Sequence, residues 1–110
     1  MARRIFTYQE ALDSFPAVRE ITGEAVSEVR QIHSSSGPAG EDRRQELEAE
    51  TRRIVERWAA QVEELGCEVK GLWLVDWDSG DGYYCWRYPE ESLAHYHGYS
   101  EGFAGRVPIN

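Results

Sequence analysis

The spacing of apolar residues changes once along this chain, at Gly66. Before this glycine they recur every three or four positions, as in a helix that buries one face. After it, apolar and polar residues alternate, as in a strand with one buried face. Helical segments followed by strands are typical of an α+β fold, in which a sheet packs on helices that precede it in the chain.

Two helices are predicted before the glycine, joined by a linker over residues 34–40 that is rich in Ser, Gly and Pro. The first begins over residues 8–14 and continues, with a kink at Pro16, to residue 34. The second spans about residues 41–65. Because the linker is short and each helix carries one apolar stripe, we expect a long antiparallel helical hairpin over about residues 8–65. The stripes consist of Phe15, Val18, Thr22, Ala25 or Val26, Val29 and Ile32, and of Leu47, Thr51, Ile54, Trp58, Val62 and Leu65.

A small antiparallel β-sheet of two to three strands is predicted for the β-rich C-terminal part, about residues 67–110. A Ser-Gly-Asp-Gly segment supplies the turn between the first two strands, and the last residues form an irregular C-terminal tail. Since so small a sheet needs the helical hairpin to cover it, residues 1–110 are expected to fold as a single domain. The predicted strands are 69–77, 83–88 and 93–96, and the tail is 102–110.

The chain carries 20 acidic and 12 basic residues, which gives a formal net charge of −8. This balance disfavours nucleic acid and anionic membranes as partners, because both bind basic surfaces. No apolar segment has the length of a membrane span or of an export signal, so we expect a cytoplasmic protein. In a reducing cytoplasm Cys67 and Cys85 are expected to be free thiols.

The last third of the chain concentrates side chains that are suited to binding ligands. Aromatic residues, two histidines, a cysteine and a Gly-x-x-Gly-Arg segment lie within residues 83–106. Glycines let a backbone approach a ligand closely, and an arginine can hold a carboxylate or phosphate through two hydrogen bonds. We therefore predict a ligand-binding site formed by His97, Arg106, Glu90 and Trp86. The alternative is that Arg106 pairs with a carboxylate of this acidic chain and fastens the tail.

A metal site is a second interpretation of the same segment. His95 and His97 are two positions apart, so in a strand both side chains leave the same face. A His-x-His pair can supply two ligands to a divalent metal such as zinc, and Cys85 is predicted as a third. Further donors are Asp76, Glu90, Glu91 and Glu101. The alternative is that the histidines are partly exposed strand residues, or that His97 has a structural hydrogen bond.

Several short motifs, spread from the start of the chain to its end, follow one family pattern. They are Phe6-Thr7 with Glu10-Ala11 and Pro16, then Val75-Asp76, Cys85-Trp86 with Glu90, Tyr96-His97, and Gly102-Phe-Ala-Gly-Arg106. In these motifs the chain resembles a family of small bacterial proteins catalogued as domain of unknown function 2203. The departures are Pro89, Tyr96 and Gly98, where the family carries glycine, tryptophan and an acidic residue, and His95, which has no counterpart there. Because the family is uncharacterised, the resemblance implies membership and no particular function.

No serine, cysteine or carboxylate pair stands in the context of an activated nucleophile or base, so no catalytic residue and no enzymatic activity is predicted. The predicted function is a small binding protein with a small-ligand, anion or metal site around His97 and Arg106. The alternative is a protein–protein interaction module that forms a homodimer, or docks on a partner, through its helical hairpin and aromatic sheet. That alternative predicts exposed aromatic side chains among Trp73, Trp77, Tyr84 and Trp86.

Overall fold

A computed structural model of the protein describes residues 4–34 and 40–109. The two helices are α1 (Tyr8–Ser34) and α2 (Glu41–Glu64). The strands are β1 (Glu68–Gly71), β2 (Leu74–Asp78), β3 (Gly82–Arg87), β4 (His95–Gly98) and β5 (Val107–Pro108), with a 3-10 turn, Phe103–Gly105, before β5. Helices followed by an antiparallel sheet confirm the predicted α+β class. Within the described ranges, no helix is long and apolar enough to cross a membrane.

The ends of the helices follow from local sequence signals. Helix α1 begins at a reciprocal cap, in which Thr7 Oγ1 accepts the Glu10 amide at 3.1 Å and Glu10 Oε1 accepts the Thr7 amide at 2.8 Å. It then continues through Pro16 as one element, rather than as a short helix followed by a longer one. Helix α2 is followed by Gly66, which has a φ of 92° and so adopts the left-handed conformation that ends many helices. Of the predicted linker, residues 35–39 lie outside the described residues.

The two helices form the predicted antiparallel hairpin, because late residues of α1 meet early residues of α2. His33 contacts Thr51 at 3.1 Å, whereas the earlier Thr22 contacts the later Trp58 at 2.8 Å. Trp58 is fully buried and packs edge-on against Trp73, with the ring centroids 4.9 Å apart. The stripe residues Phe15, Val18, Thr22, Ala25, Val26, Leu47, Ile54, Trp58 and Val62 are buried, whereas Val29, Ile32, Thr51 and Leu65 are partly buried.

In the described residues the sheet has five strands in the order β1-β2-β3-β4-β5, so the prediction of two to three strands is corrected. The predicted strand 69–77 is divided into β1 and β2 by a turn at Leu72–Trp73, where Trp73 has a positive φ of 60°. The predicted third strand lies slightly later than expected, as β4. Part of the predicted irregular tail pairs with it, since Val107 of β5 lies opposite Tyr96.

Alternate residues of β2 and β3 point to opposite sides of the sheet. Val75, Trp77 and Trp86 face the helices and are fully buried, and both tryptophan rings contact Phe15 edge-on. The expected exposed aromatic strip is therefore not present: Trp77 and Trp86 are buried, and Trp73 and Tyr84 are partly buried. The opposite side of the same strands, which we call the outer face, carries polar side chains.

Candidate functional site

The outer face holds a buried group of polar side chains, Asp76, Cys85 and His97, which we call the outer-face cluster. Asp76 of β2 lies directly opposite Cys85 of β3, and residues opposite each other in an antiparallel sheet share a face. His97 of β4 lies opposite Tyr83 and reaches over β3 toward Asp76. The exposed fractions of the three residues are 1%, 0% and 4%. Such burial is common for cysteine but unusual for aspartate.

The protons of His97 follow from its two neighbours. Its Nδ1 lies 2.8 Å from the carbonyl oxygen of Gly98, which only accepts hydrogen bonds, so Nδ1 carries a proton. Its Nε2 lies 2.8 Å from Oδ2 of Asp76, and this contact requires one more proton between the two atoms. That proton belongs either to an imidazolium beside a carboxylate or to a carboxylic acid beside a neutral imidazole. In both cases the pair has no net charge.

The surroundings of Asp76 raise the pKa of its carboxyl group and, among the described residues, leave one of its oxygens without a hydrogen bond. Burial raises the pKa of its carboxyl group, and the neighbouring Cys85 and His97 oppose that rise only in part. Its second oxygen, Oδ1, is buried and has no hydrogen-bond partner among the described residues. A buried carboxylate oxygen without a donor is costly, because its interaction with water has been lost without replacement.

Cys85 is a neutral thiol in this environment. Burial raises its pKa to about 12, and the negative charge of Asp76 adds to the rise, whereas Arg106 opposes it. A thiolate is the reactive form of cysteine, so Cys85 is not an activated nucleophile. The other cysteine, Cys67, is also a free buried thiol, but it belongs to the apolar core.

Arg106 forms an ion pair with Glu90 through both of its terminal nitrogens. Nη1 donates to Oε1 at 2.9 Å, and Nη2 donates to Oε2. Burial alone raises the pKa of Glu90, but the Arg106 guanidinium and the backbone amide of Arg87 outweigh it and lower that pKa overall. This geometry agrees with the interpretation in which Arg106 fastens the C-terminal segment. The guanidinium also lies beside Cys85, so it borders the outer-face cluster.

A cleft of about 370 Å³ opens above the cluster. Asp76 and His97 are part of its lining, whereas Cys85 and Arg106 are not. The segment after β4 forms one wall, where Tyr99 donates to Oδ1 of Asp78 at 2.6 Å and packs on the ring of Tyr83 at 5.1 Å. The residues that line the cleft are Lys70, Leu74, Asp76, Tyr83, His97, Tyr99, Ser100, Glu101, Gly102 and Phe103.

The structure places the other predicted site residues around this cluster. His95 lies opposite Cys85, but its ring is not within the group of mutually close donor atoms, and Nδ1 has no hydrogen-bond partner in the described ranges. Trp86 lies on the helix-facing side, where its Nε1 donates to the carbonyl of Glu90 at 2.8 Å. Glu91 is exposed, and Glu101 accepts the Gly98 amide at 2.9 Å.

Two features of the site were predicted incompletely or not at all from the sequence. Asp76 was one of several further donors in the predicted metal set, and the structure groups it with Cys85 and His97. The aromatic walls of the cleft, Tyr83, Tyr99 and Phe103, have no signal in the sequence, because their approach depends on how the segment after β4 folds back.

Comparison with known proteins identifies a family and no activity. The sequence profile of the uncharacterized conserved proteins DUF2203 matches residues 4–109. No curated protein and no solved structure matches the chain significantly. The match covers nearly the whole sequence and includes every residue of the outer-face cluster and of the cleft. The chain is therefore a member of the DUF2203 family of uncharacterized conserved proteins.

Proposed function

We propose that this protein binds a divalent transition metal ion, of which zinc is the best match, through Asp76, Cys85 and His97. The three ligand atoms lie within 4.8 Å of one another. A carboxylate oxygen, a thiolate sulfur and an imidazole nitrogen are the three donor types that zinc takes from proteins. The sulfur disfavours magnesium and calcium, which prefer oxygen ligands.

The observation that carries this proposal is the close approach of three buried donor groups, and the protons that these groups would exchange for a metal ion support it. Without metal, one proton lies between His97 Nε2 and Asp76 Oδ2, and one is on the Cys85 thiol. A metal ion must replace both protons, because its ligands are a lone pair, a carboxylate and a thiolate. The two positive charges of the metal ion then replace those of the two protons, so the net charge of this buried group is unchanged. The exchange therefore avoids the large cost of adding charge to the interior.

The surroundings favour the same assignment. A tetrahedral zinc centre places its ligand atoms about 3.3–3.6 Å apart, so the cluster needs shifts of about half an ångström to one ångström. The hydrogen bond from His97 Nδ1 to the Gly98 carbonyl holds the ring with Nε2 toward the cluster, as is usual for metal-bound histidines. Cys85 must stay reduced to bind, so the proposal requires a reducing compartment such as the cytoplasm.

Calorimetric titration of the purified, metal-stripped protein with zinc chloride tests the proposal. We expect one zinc per chain and the release of about two protons at neutral pH, read from the heat in buffers of different ionisation enthalpy. Cys85→Ala should release one proton fewer and bind more than about 100-fold more weakly, since even outer partners of a metal site contribute 10–100-fold.

Cys67 provides the matched control, because it is a second buried free thiol on the other side of the sheet. Cys67→Ala should retain the stoichiometry and the proton release of the unaltered protein. Equal zinc affinity in Cys85→Ala and Cys67→Ala, or no binding by the unaltered protein, contradicts the proposal and leaves the cluster as a structural hydrogen-bond network.

A second candidate function, protein–protein interaction, is supported by a groove beside α1. A depression of about 530 Å³ runs between this helix and the turn after β3, and a neighbouring one of about 320 Å³ shares Tyr88 and Pro89 with it. Gly23 lines the groove, and a Cβ added there would lie 3.9 Å from the Tyr88 ring. A self-associating chain would have twice the 12.6 kDa chain mass in solution.

Sedimentation equilibrium tests this candidate. If the groove holds a second copy, Gly23→Leu should fill it and give a monomer without loss of stability, because leucine also favours the helix. A monomeric unaltered protein, or a dimer unaffected by Gly23→Leu, contradicts the use of this groove in a homodimer.

A further inference from the structure

The outer-face cluster supplies three metal ligands, one fewer than a closed tetrahedral site requires. No fourth His, Cys, Asp or Glu side chain joins the group in the part of the chain that the structure describes. Structural zinc sites usually have four protein ligands, whereas sites that act on small molecules keep three and leave a position for water or substrate. The number of donors therefore points to an open site.

The direction of the open position follows from the lining of the cleft. Asp76 and His97 contribute to the cleft floor, whereas Cys85 lies behind them, next to Arg106. A metal held by all three has its remaining position on the side of Asp76 and His97. The cleft volume of about 370 Å³ lies within the range of small-molecule sites, roughly 300–1,000 Å³.

The cleft walls indicate which small molecules fit. Tyr83, Tyr99 and Phe103 present aromatic rings, which favour a planar or apolar group. Lys70 is the cation among the lining residues, with Nζ 4.3 Å from the centre of the Tyr83 ring and 3.0 Å from Glu68 Oε1. An ammonium group has three donors, so this ion pair leaves capacity for a further acceptor.

We propose that the cleft binds a small organic acid, whose oxygen donor group occupies the open metal position and whose planar part packs against Tyr83, Tyr99 and Phe103. This inference rests on the metal centre proposed above. The metal with its thiolate and carboxylate ligands has no net charge, so a monoanionic oxygen donor meets no excess negative charge at the centre. Lys70 at the cleft wall can then donate a further hydrogen bond to the anion, in addition to its ion pair with Glu68.

Cobalt(II) replaces zinc in the test, because its visible absorption reports the number and type of ligands. The cobalt-loaded protein is titrated with acetohydroxamate and with benzohydroxamate, two oxygen donors with the same metal-binding group, of which the first carries a methyl group and the second a phenyl ring. Both should change the cobalt spectrum, and benzohydroxamate should bind about 3- to 10-fold more tightly, because its ring packs on aromatic walls.

Variants of residues inside and outside the cleft test whether the hydroxamates bind there. Phe103→Ala should reduce the preference for benzohydroxamate, and Lys70→Met should weaken both probes. Ile5→Ala is the control, since Ile5 is an exposed apolar residue that does not line the cleft. It should leave both affinities unchanged.

The two proposals fail in different ways. If cobalt binds in one equivalent but neither hydroxamate alters its spectrum, the open position is absent and this inference is wrong, while the metal centre stands. If the unaltered protein binds the two hydroxamates with equal affinity, the proposed packing of the ligand's planar part against the aromatic walls is wrong. If no cobalt binds, the metal centre is wrong, and the inference that depends on it is wrong as well.

Discussion

The two sides of one small sheet differ in how they bury polar atoms. On the helix-facing side, the indole nitrogens have neutral partners: Trp77 donates to Ser14 at 2.8 Å, and Trp86 donates to a backbone carbonyl at the same distance. On the outer face, Asp76 and His97 are as deeply buried, but they are ionisable, and Oδ1 of Asp76 has no hydrogen-bond partner in the described ranges. Alternate residues of the same strands thus bury neutral, hydrogen-bonded side chains on one side and ionisable side chains on the other.

Because of this difference, we expect the helix-facing side to contribute mainly to stability and the outer face mainly to binding. Burying aromatic and aliphatic surface stabilises a fold by roughly 25 cal/mol per Å². Burying an ion pair gives little net stability, because the cost of removing charges from water offsets their attraction. The helix-facing side is therefore expected to supply most of the folding free energy. The outer face is expected to retain its polar residues for binding.

The largest expected effect is on the helix-facing side. Trp58→Ala should lower the free energy of unfolding by about 4 kcal/mol, since it removes a fully buried indole that packs on Trp73 and donates to Thr22. Urea denaturation of the metal-free protein measures the change. A loss below about 1 kcal/mol would show that Trp58 is not part of the core.

A comparison of one single and one double variant on the outer face is the next test. His97→Leu alone should lower the free energy of unfolding of the metal-free protein by about 3 kcal/mol, because it leaves Asp76 buried without its partner. Asp76→Leu/His97→Leu together should recover most of that loss, because the cost of burying polar groups disappears. Chemical denaturation in the presence of a chelator gives the three values. If the double variant is less stable than His97→Leu, the cluster is a stabilising element and the contrast between the two faces fails.

The pH dependence of stability is expected to depend on two buried thiols, one on each side of the sheet. In the folded protein Cys67 and Cys85 both have a pKa of about 12, against a reference value of 9.0, so the folded state retains protons that the unfolded state loses. Stability should therefore be unaffected by these thiols below pH 9 and should fall between pH 9 and 12. Each thiol contributes about 1.4 kcal/mol per pH unit. Cys67→Ala and Cys85→Ala should each reduce the slope by about 1.4 kcal/mol per pH unit. An unchanged slope in either variant would show that its thiol ionises as easily when folded.

The smallest effect concerns the buried Thr22 hydroxyl, which accepts a hydrogen bond from Trp58 Nε1 at 2.8 Å and donates one to the Val18 carbonyl at 2.7 Å. Thr22→Val should lower the free energy of unfolding by about 1 kcal/mol, because it removes both bonds and leaves Trp58 Nε1 without its acceptor while the shape of the side chain is kept. Thr22→Ser retains the hydroxyl and is the control for these bonds. Thermal denaturation followed by circular dichroism measures both. Equal melting temperatures for Thr22→Val and the unaltered protein would assign the two bonds no net value.

The helical part was predictable from sequence because its signals are local. The Thr7–Glu10 cap, the apolar stripes and Gly66 after α2 are all encoded within a few residues of where they act. The number of strands was not predictable in the same way. The turn at Leu72–Trp73 lacks the usual turn residues, and the contact of the Trp73 ring with Trp58 of α2 accompanies its positive φ. Strand β5 has only two residues and no periodic pattern.

The candidate site was partly predictable for a related reason. Strand alternation alone places Asp76 and Cys85 within alternating strands, and it gives His95 and His97 a common face. Which histidine approaches Asp76 depends on the register of β4 against β3, where Tyr83 pairs with His97 and Cys85 pairs with His95. That register follows from the path of the chain between the two strands, and residues 88–94 carry no periodic signal that would specify it.

The order of the strands has a consequence for how fast the chain folds. Each strand of the sheet pairs with the strand next to it in the sequence, and α1 pairs with α2 in the same way. Contacts between neighbouring elements close short loops, and proteins rich in such contacts fold rapidly, on the order of milliseconds. Two bonds of greater sequence separation connect the start of the chain to Asp78 of β2, through the Phe6 amide, and to Leu93 between β3 and β4, through the Tyr8 hydroxyl. We expect these two bonds to form late, so in stopped-flow experiments Tyr8→Phe should speed unfolding and leave the refolding rate nearly unchanged.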